Sequence, residues 1–427
     1  MKKNVLVAGI GQANYIMQLY GEIAPKLPGF SFNAFNLKDF GDKQIEVQAV
    51  SVFNRVYFFK PDLKNILTLS RAIVPVLLNR YFWKDLTMYI AEKGNIFSNG
   101  GLRLFLRHVN AYYYANFIDR KTDTDIIHLH FPKHIFALFL KYLKKDYEEI
   151  WTYWGSDIYR IDSWIDHEIQ NSSLDSVDLI TMATPEMEFT LLSRFGFQYK
   201  YKIRRARFLH DSSYYELAAN LISNSGWEKG FKTDFNIPPE KIIILFGHNG
   251  HFENNHIQFL ETLSKLPENI ANEFHVIFPF TYGDHKKGYL QEVKKISEEI
   301  STSFQFIEDF MDWEELAKLK IISDVYIHCP TTDGLSAFLT EFLYTNNLAI
   351  VGSWLPYNTF RDFGLYYKTF DNFESLREIL ISLKDNIKIT ADHRSSNQKV
   401  ISDNFSIDKI SGEWVRVFKE FEIKPIV

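Results

Sequence analysis

Along almost the whole chain, apolar runs of strand length alternate with stretches of helical periodicity. That rhythm predicts parallel sheets joined by crossover helices. In the first half the predicted strands are Asn4–Ile10, Ser31–Leu37, Ile45–Phe53, Asp125–Phe131, Glu149–Trp154 and Asp178–Ala183. Between the third and fourth, Pro61–Arg120 reads as two helices rich in aromatic and basic residues. The second half is cleaner. Lys241–Gly247 is nearly continuous in apolar residues, as a strand buried on both faces must be. Phe274–Phe280, Phe304–Ile307, Asp324–Cys329 and Leu348–Gly352 follow as strands. Helices are predicted from about Asn255 to Leu266, over Lys286–Glu299, from Asp312 to Ile322, from about Gly334 to Thr345 and over Ser375–Lys384. Asp312 and Glu315 have capping-box spacing.

The pattern divides the chain into an N-terminal Rossmann-like domain over 1–210, a polar, turn-rich linker over 211–239, a C-terminal Rossmann-like domain over 240–405 and a last helix over 406–427 that suits either domain. The fold class is α/β. A length of 427 residues suits two domains, and 46% hydrophobic residues supply two cores. The net charge of −5 argues against a nucleic-acid footprint. Cys329 is the only cysteine, which excludes a disulfide within the chain and suits a reducing, cytoplasmic compartment. Ile66–Leu78 is the most apolar stretch, but it is short and Arg71 interrupts it, so no spanning helix is expected.

The chemistry is sought at the carboxyl ends of strands, where open parallel sheets bind ligands. Thr331-Thr332-Asp333-Gly334-Leu335-Ser336 leads from a strand into a helix whose free amides and positive dipole end suit a phosphate. Glu341 stands eight positions beyond Asp333, about two helical turns, so the two acids are expected to face one cleft. Gly247-His248-Asn249-Gly250 begins a second such loop, running through Asn254 and Asn255 into His256. Its glycines allow close backbone approach, and it lacks the lysine of a Walker loop. His248, His251 and His256 lack helical metal-ligand spacing, so no metal is expected. Tyr282 and Gly283 end the next strand.

In the first half, His128 and His130 end one strand and Trp154-Gly155-Ser156-Asp157 ends the next. Alternation along the strand is taken to bury one histidine, leaving His130 facing the cleft. Asp157 is either a helix cap or a base for an acceptor hydroxyl. Two basic-aromatic segments, Arg71–Lys84 and Leu102–Arg120, read as core helices with charged rims in preference to a surface lying on a bilayer. Lys200, Lys202, Arg204, Arg205 and Arg207 form a basic strip suited to phosphates, lipid headgroups or plain solvent.

Together these features resemble the GT-B glycosyltransferases. Asp333 through Glu341 is similar to their Glu-x7-Glu element, with Asp at the first position. A closer resemblance is to the bacterial transferases that move 4-acetamido-4,6-dideoxygalactose from a TDP-sugar to lipid II. It rests on Gly247–Gly250 leading into Asn254-Asn255-His256-Ile257, on Pro279, Tyr282 and Gly283, on Tyr289 and Val293, and on Trp154–Tyr159. The resemblance implies two Rossmann-like domains facing across a cleft. It implies a TDP- or UDP-deoxyamino sugar as donor, a lipid-linked or polysaccharide acceptor of the bacterial cell envelope, and no cofactor besides the nucleotide-sugar. A peripheral place on the cytoplasmic face of the inner membrane is left open. On this reading Asp157, Asp333 and His130 are catalytic. Gly247, His248, Asn249, Gly250, Asn254, Asn255, Tyr282, Gly283, Thr332, Gly334, Leu335, Ser336 and Glu341 hold the donor. Gly11, Gln12, Lys133 and Arg160 hold the acceptor. The alternatives are a two-domain sugar-nucleotide epimerase and a non-catalytic binding protein of the same fold.

Overall fold

The computed structural model describes residues 2–9, 14–36, 51–59, 66–93, 99–132, 135–161, 163–209, 212–224, 226–283, 287–345, 348–390 and 394–422. The chain forms two compact units, one of residues 1–209 with 407–427 and the other of residues 210–406.

Among the described residues, unit 1 is built on a seven-stranded parallel sheet. Its strands are β1 (Lys3–Ala8), β2 (Phe30–Asn36), β3 (Arg55–Phe58), β4 (Ile126–His130), β5 (Glu148–Thr152), β6 (Leu179–Met182) and β7 (Ile203–Arg205), in the order β3-β2-β1-β4-β5-β6-β7. The sheet of unit 2 holds β8 (Ile242–Phe246), β9 (Phe274–Pro279), β10 (Ser303–Ile307), β11 (Val325–His328), β12 (Leu348–Gly352) and β13 (Lys368–Phe370). Its order is β10-β9-β8-β11-β12-β13, again parallel. In both sheets the chain adds strands outward in one direction, then returns to the middle and adds them in the other. The return is a topological switch point, between β1 and β4 and between β8 and β11. In unit 2, Ile244, Leu245 and Phe246 stand opposite Val325, Tyr326 and Ile327.

The helices that matter below are α1 (Asn14–Ile23), α2 (Ile66–Leu78), α3 (Arg80–Lys93), α4 (Asn99–Lys121), α5 (Ser212–Ser223), α6 (His256–Leu263), α7 (Tyr289–Ser297), α8 (Trp313–Ile322), α9 (Ala337–Tyr344) and α10 (Ile407–Lys419). The strands of unit 2 bury one face through Ile244, Phe246, Val276, Phe278, Ile327 and Ile350 and the other through Ile243, Leu245, Ile277, Tyr326 and Val351. Such two-sided burial is what their near-continuous apolar runs require.

Several expectations need correction. Of the strand expected over Ile45–Phe53, residues 45–50 lie outside the described residues, and the strand instead follows as β3. Pro61–Arg120 holds three described helices, because Asn79 breaks the run and its side chain accepts the Tyr81 amide at 2.9 Å to start α3. The short edge strands β7 and β13 were not foreseen. Residues 211–239, expected as a linker, contain α5 and the helix Glu228–Asp234, and both belong to unit 2. The last helix belongs to unit 1. Trp414 of α10 is fully buried and donates its indole hydrogen to the Arg207 carbonyl at 2.8 Å. Glu413 accepts from the Arg207 backbone amide and guanidinium, and Phe418 packs on Phe30 and Phe32.

Candidate active site at the switch point of unit 2

The first strand of unit 2 ends at Phe246, and Gly247 turns the chain at φ +67°, its amide donating to the Ile327 carbonyl of β11 at 3.0 Å. The loop that follows is knitted by its own amides. Asn249 Oδ1 accepts from the His251 amide at 2.9 Å and from Asn254 Nδ2 at 2.8 Å. Asn254 also donates to the carbonyls of Asn249 and His251, and its side chain is buried. Asn254 was expected to touch the donor; instead its amide is occupied with shaping the loop. Asn255 adopts a left-handed conformation at φ +63° and donates from Nδ2 to the Cys329 carbonyl at 2.6 Å. Thr331 returns a bond from its amide to the Glu253 carbonyl at 2.8 Å. The loops after β8 and β11 are therefore stitched together. Asn255, also expected at the donor, holds that seam.

The turn after β9 joins the same cluster. The Gly250 amide donates to the Tyr282 carbonyl at 2.8 Å. Gly283 sits at φ +121°, where a Cβ atom would stand 2.9 Å from the His251 amide nitrogen, so only glycine lets this turn meet the loop. The three histidines of the loop go separate ways. His256 is buried and meets the Tyr289 hydroxyl at 3.1 Å, with Val293 buried on the same helix, α7. His251 stacks on Phe252, and the His248 ring lies 5.6 Å from His328 and 6.2 Å from Phe338. Among the described residues no group of three or more His, Cys, Asp or Glu is placed to hold a metal ion.

After β11 the expected helix start needs revision. Ser336 is the N-cap of α9, its hydroxyl accepting the Leu339 amide at 3.2 Å, and the helix begins at Ala337. Asp333 therefore lies in the loop, and Glu341 sits about one turn inside the helix. The Ser336 hydroxyl is taken by capping and the Gly334 amide by Asp333 Oδ1 at 2.7 Å. Leu335 is buried and Thr332 half-buried. The amides of Ala337 and Phe338, in the first turn of α9, have no intrahelical acceptor and supply the positive end of the dipole.

Asp333 is pinned from the far side. Its Oδ2 accepts from Tyr357 at 2.6 Å and faces His328 Nε2 at 3.1 Å, and His328 Nδ1 meets the Tyr326 hydroxyl at 2.7 Å. Burial works to raise the Asp333 carboxyl. The His328 hydrogen bond, the electrostatic pull of the His328 and His248 imidazoles and the Tyr357 hydroxyl outweigh burial and hold it well below the usual carboxylate range. Glu341 is buried, not solvated, and is ion-paired with Lys320 of α8. The Lys320 ammonium is fully buried, lies 3.9 Å from the Phe338 ring centroid and is 4.7 Å from that of Tyr214. Burial depresses it, and the pairing with Glu341 opposes that shift.

Beside these groups, at the carboxyl ends of β9 and β10, lies a mostly apolar cavity of about 160 Å³. His248, Tyr282, Phe310, Trp313, Leu316 and Phe338 are among its walls. Phe310, Trp313 and Tyr282 stand exposed at 84%, 53% and 56%, large aromatic faces with no core to fill. Trp313 follows directly on the Asp312 cap, whose capping box is fully formed. Sequence reasoning missed Phe310, Trp313, Lys320, His328, Phe338 and Tyr357. Only Phe310 and Trp313 carried a signal, as aromatic residues flanking a capping box just past a strand end.

In unit 1 the expected catalytic residues, His130 and Asp157, are both buried. His128 and His130 are two positions apart and so share a face of β4; alternation does not separate them. Their rings stack at 4.2 Å, both fully buried. The Trp154 indole, which can only donate, gives its hydrogen to His130 Nδ1 at 3.1 Å. With both rings neutral, that fixes the remaining bonds. His130 Nε2 donates to Tyr20 at 3.1 Å, Tyr20 to His128 Nδ1 at 2.5 Å, and His128 Nε2 to Thr152 at 2.6 Å. Burial pushes His128 down to about 3 and His130 well below its ordinary value, His128 adding to the latter. His130 is thus enclosed in the sheet's packing and not cleft-facing. Asp157 is likewise fully buried. Its carboxylate accepts the Trp154 amide at 3.0 Å and the Gly155 amide at 2.9 Å, holding the turn where Gly155 takes φ +129°. Gly155 is the N-cap of the short helix that follows, so Asp157 is not the expected cap; it lies inside that helix with its carboxylate turned from solvent. Arg160 is half-buried after the short helix Ser156–Tyr159. Gly11, Gln12 and Lys133 lie outside the described residues. The basic strip is occupied at most of its positions: Arg204 pairs with Glu420, Arg205 with Glu188, Arg207 with Glu413, and Lys202 donates to the Leu174 and Asp175 carbonyls.

No protein-family model matches this chain, and no curated protein matches it in sequence. Solved structures do. A glycosyltransferase from Rickettsia africae aligns over 99% of this chain and 100% of its own with a TM-score of 0.70 at 15% identity. Sucrose-phosphate synthase from Thermosynechococcus elongatus aligns over 99% of each chain with a TM-score of 0.64 at 11% identity. Anabaena HepE in complex with UDP and glucose aligns over 98% of this chain and 100% of its own, with a TM-score of 0.63 at 11% identity. At such identities the likeness shows the fold, which is GT-B.

Proposed function

We propose that the chain is a glycosyltransferase whose unit 2 binds a nucleoside-diphosphate sugar. The observation that carries this reading is the stitched pair of loops at the β8–β11 switch point, lying beside an aromatic cavity. The base is held among Phe310, Trp313 and Tyr282. The diphosphate meets His248 and the first amides of α9. Glu341, oriented by Lys320, takes the ribose hydroxyls, and Asp333 lies toward the sugar. Transfer builds negative charge on the departing phosphate, and preorganised donors aimed at that charge lower the barrier most. Protein groups carry this neutralisation, so activity is expected to survive chelation of divalent metal. The HepE structures with UDP, UDP-glucose and glucose support a uridine donor for the fold. The sequence resemblance supports a TDP- or UDP-deoxyamino sugar as donor and a lipid-linked or polysaccharide acceptor carried by unit 1.

The test is calorimetric titration with UDP, TDP and GDP, followed by donor turnover with and without a lipid-linked acceptor. Base–aromatic stacking is worth about 1–3 kcal/mol, so Trp313→Ala is expected to weaken nucleotide binding roughly 5- to 150-fold. Binding unchanged in that variant, or donor consumption of equal rate without acceptor, would remove the transferase reading.

A further inference from the structure

Helix α2 is patterned the wrong way round for a helix covering a core. Ala72 and Val76 point inward and are fully buried. Outward stand Ile73 at 40%, Val74 at 61%, Leu77 at 40% and Leu78 at 81% exposure. Scattered exposed apolar residues are ordinary, but a contiguous row on one helix marks an interaction surface. Trp83 of α3 extends the row. It is half-exposed, and its indole donates to the Leu77 carbonyl at 2.6 Å, which fixes the ring at the end of α2.

The charges around this row are mainly basic, with Glu168 the acid that meets one of them. Arg71, Arg80 and Lys84 are exposed, Lys84 being ion-paired with Glu168. From Ile66 to Ala91 the sole acidic residue is Asp85. It is fully buried and faces His108 at 3.1 Å. The whole chain is net negative, at −5, so this local excess of cations runs against the composition. No described helix is long and apolar enough to cross a membrane, and α2 has 13 residues. The chemistry that matches an apolar helix face ending in an indole and rimmed by arginines is a bilayer surface with anionic headgroups. There the aliphatic side chains enter the acyl boundary, the indole sits at headgroup depth, and the arginines meet phosphate.

We propose that α2 and the start of α3 form a docking surface of unit 1 for an anionic lipid bilayer. The inference stands apart from the donor site, because vesicle binding needs no nucleotide. The test is flotation of the full chain with vesicles of phosphatidylcholine alone or with about 30% phosphatidylglycerol, at about 0.1 M salt. The wild type is expected to float with the anionic vesicles. Val74→Asp with Leu78→Asp, both at exposed positions, should abolish flotation while circular dichroism stays native. Arg71→Gln with Arg80→Gln should weaken binding by about fivefold per arginine removed, through loss of the preference for anionic lipid. Three results would overturn the proposal: a wild type that stays at the bottom with both vesicles, an aspartate variant that floats like the wild type, or a wild-type dimer in light scattering that the aspartate substitutions convert to monomer, which would assign the face to a second copy of the chain.

Discussion

Glu341 brings a buried cation with it. The Lys320 ammonium is wholly enclosed, and its ion pair is with a helix neighbour in space that is 21 residues away in sequence. Breaking such a pair from one side strands the other charge, at a cost of about 3–5 kcal/mol. Glu341→Ala should therefore lose both stability in urea unfolding and nucleotide affinity in titration. Lys320→Met combined with Glu341→Ala should regain most of the stability while affinity stays low. A double variant that also regains affinity would show that Glu341 acts only as a counter-ion. The loop glycines and His248 were legible in the sequence because they stand together at a strand end. Lys320 and Tyr357 were not, since each reaches an acidic residue from a remote element and carries no local mark. The same limit explains Asp157 and His130. Their residue types suggested chemistry, but whether a carboxylate meets a substrate or two backbone amides is set by burial.

Secondary-structure elements were most legible where both faces of a strand are buried. The runs at β8, β9, β11 and β12 are short, nearly continuous in apolar residues and rich in β-branched and aromatic side chains, which together read as strands. The edge strand β7 escaped notice because two of its three residues are arginines, neutralised by Glu420 in the turn after α10 and by Glu188 of the helix Pro185–Phe195. Strand β4 carries a pH prediction. An unfolded histidine takes up its proton near pH 6.5, whereas burial holds folded His128 down at about 3. Between those values the unfolded state binds the additional proton, so stability falls as the pH is lowered, by about 1.4 kcal/mol per pH unit per histidine. His128→Asn should remove one histidine's share of that slope in urea unfolding followed from about pH 6 to about pH 5. An unchanged slope would mean that His128 is already charged in the folded chain. Gly9 on the neighbouring strand end belongs to the same packing. It sits at φ +91°, and a Cβ there would stand 2.5 Å from the His130 carbonyl oxygen, so Gly9→Ala is expected to lower the melting temperature by several degrees, a loss of about 1–3 kcal/mol.

Across the whole molecule, the chain returns at its end to the unit it began with. Helix α10 is bound to unit 1 through Trp414, Phe418, the Arg207–Glu413 pair and the bond from Lys26 to Asp408. Removing residues 407–427 should speed hydrogen exchange in β1, β2 and β4 and leave β8 and β11 as protected as before. Equal loss of protection in both sheets would contradict the division into units. The two-sheet plan was legible in the alternation of strands and helices, but the place of this last helix was not, because a single amphipathic helix fits either sheet. All the roles proposed for unit 2 require one location for the nucleotide. Hydrogen exchange with and without bound UDP or TDP tests it directly. Protection is expected in 247–255, 310–316 and 331–338, with the amides of Ala337 and Phe338 among the most slowed. Protection confined to other segments, or none at saturating nucleotide, would contradict it.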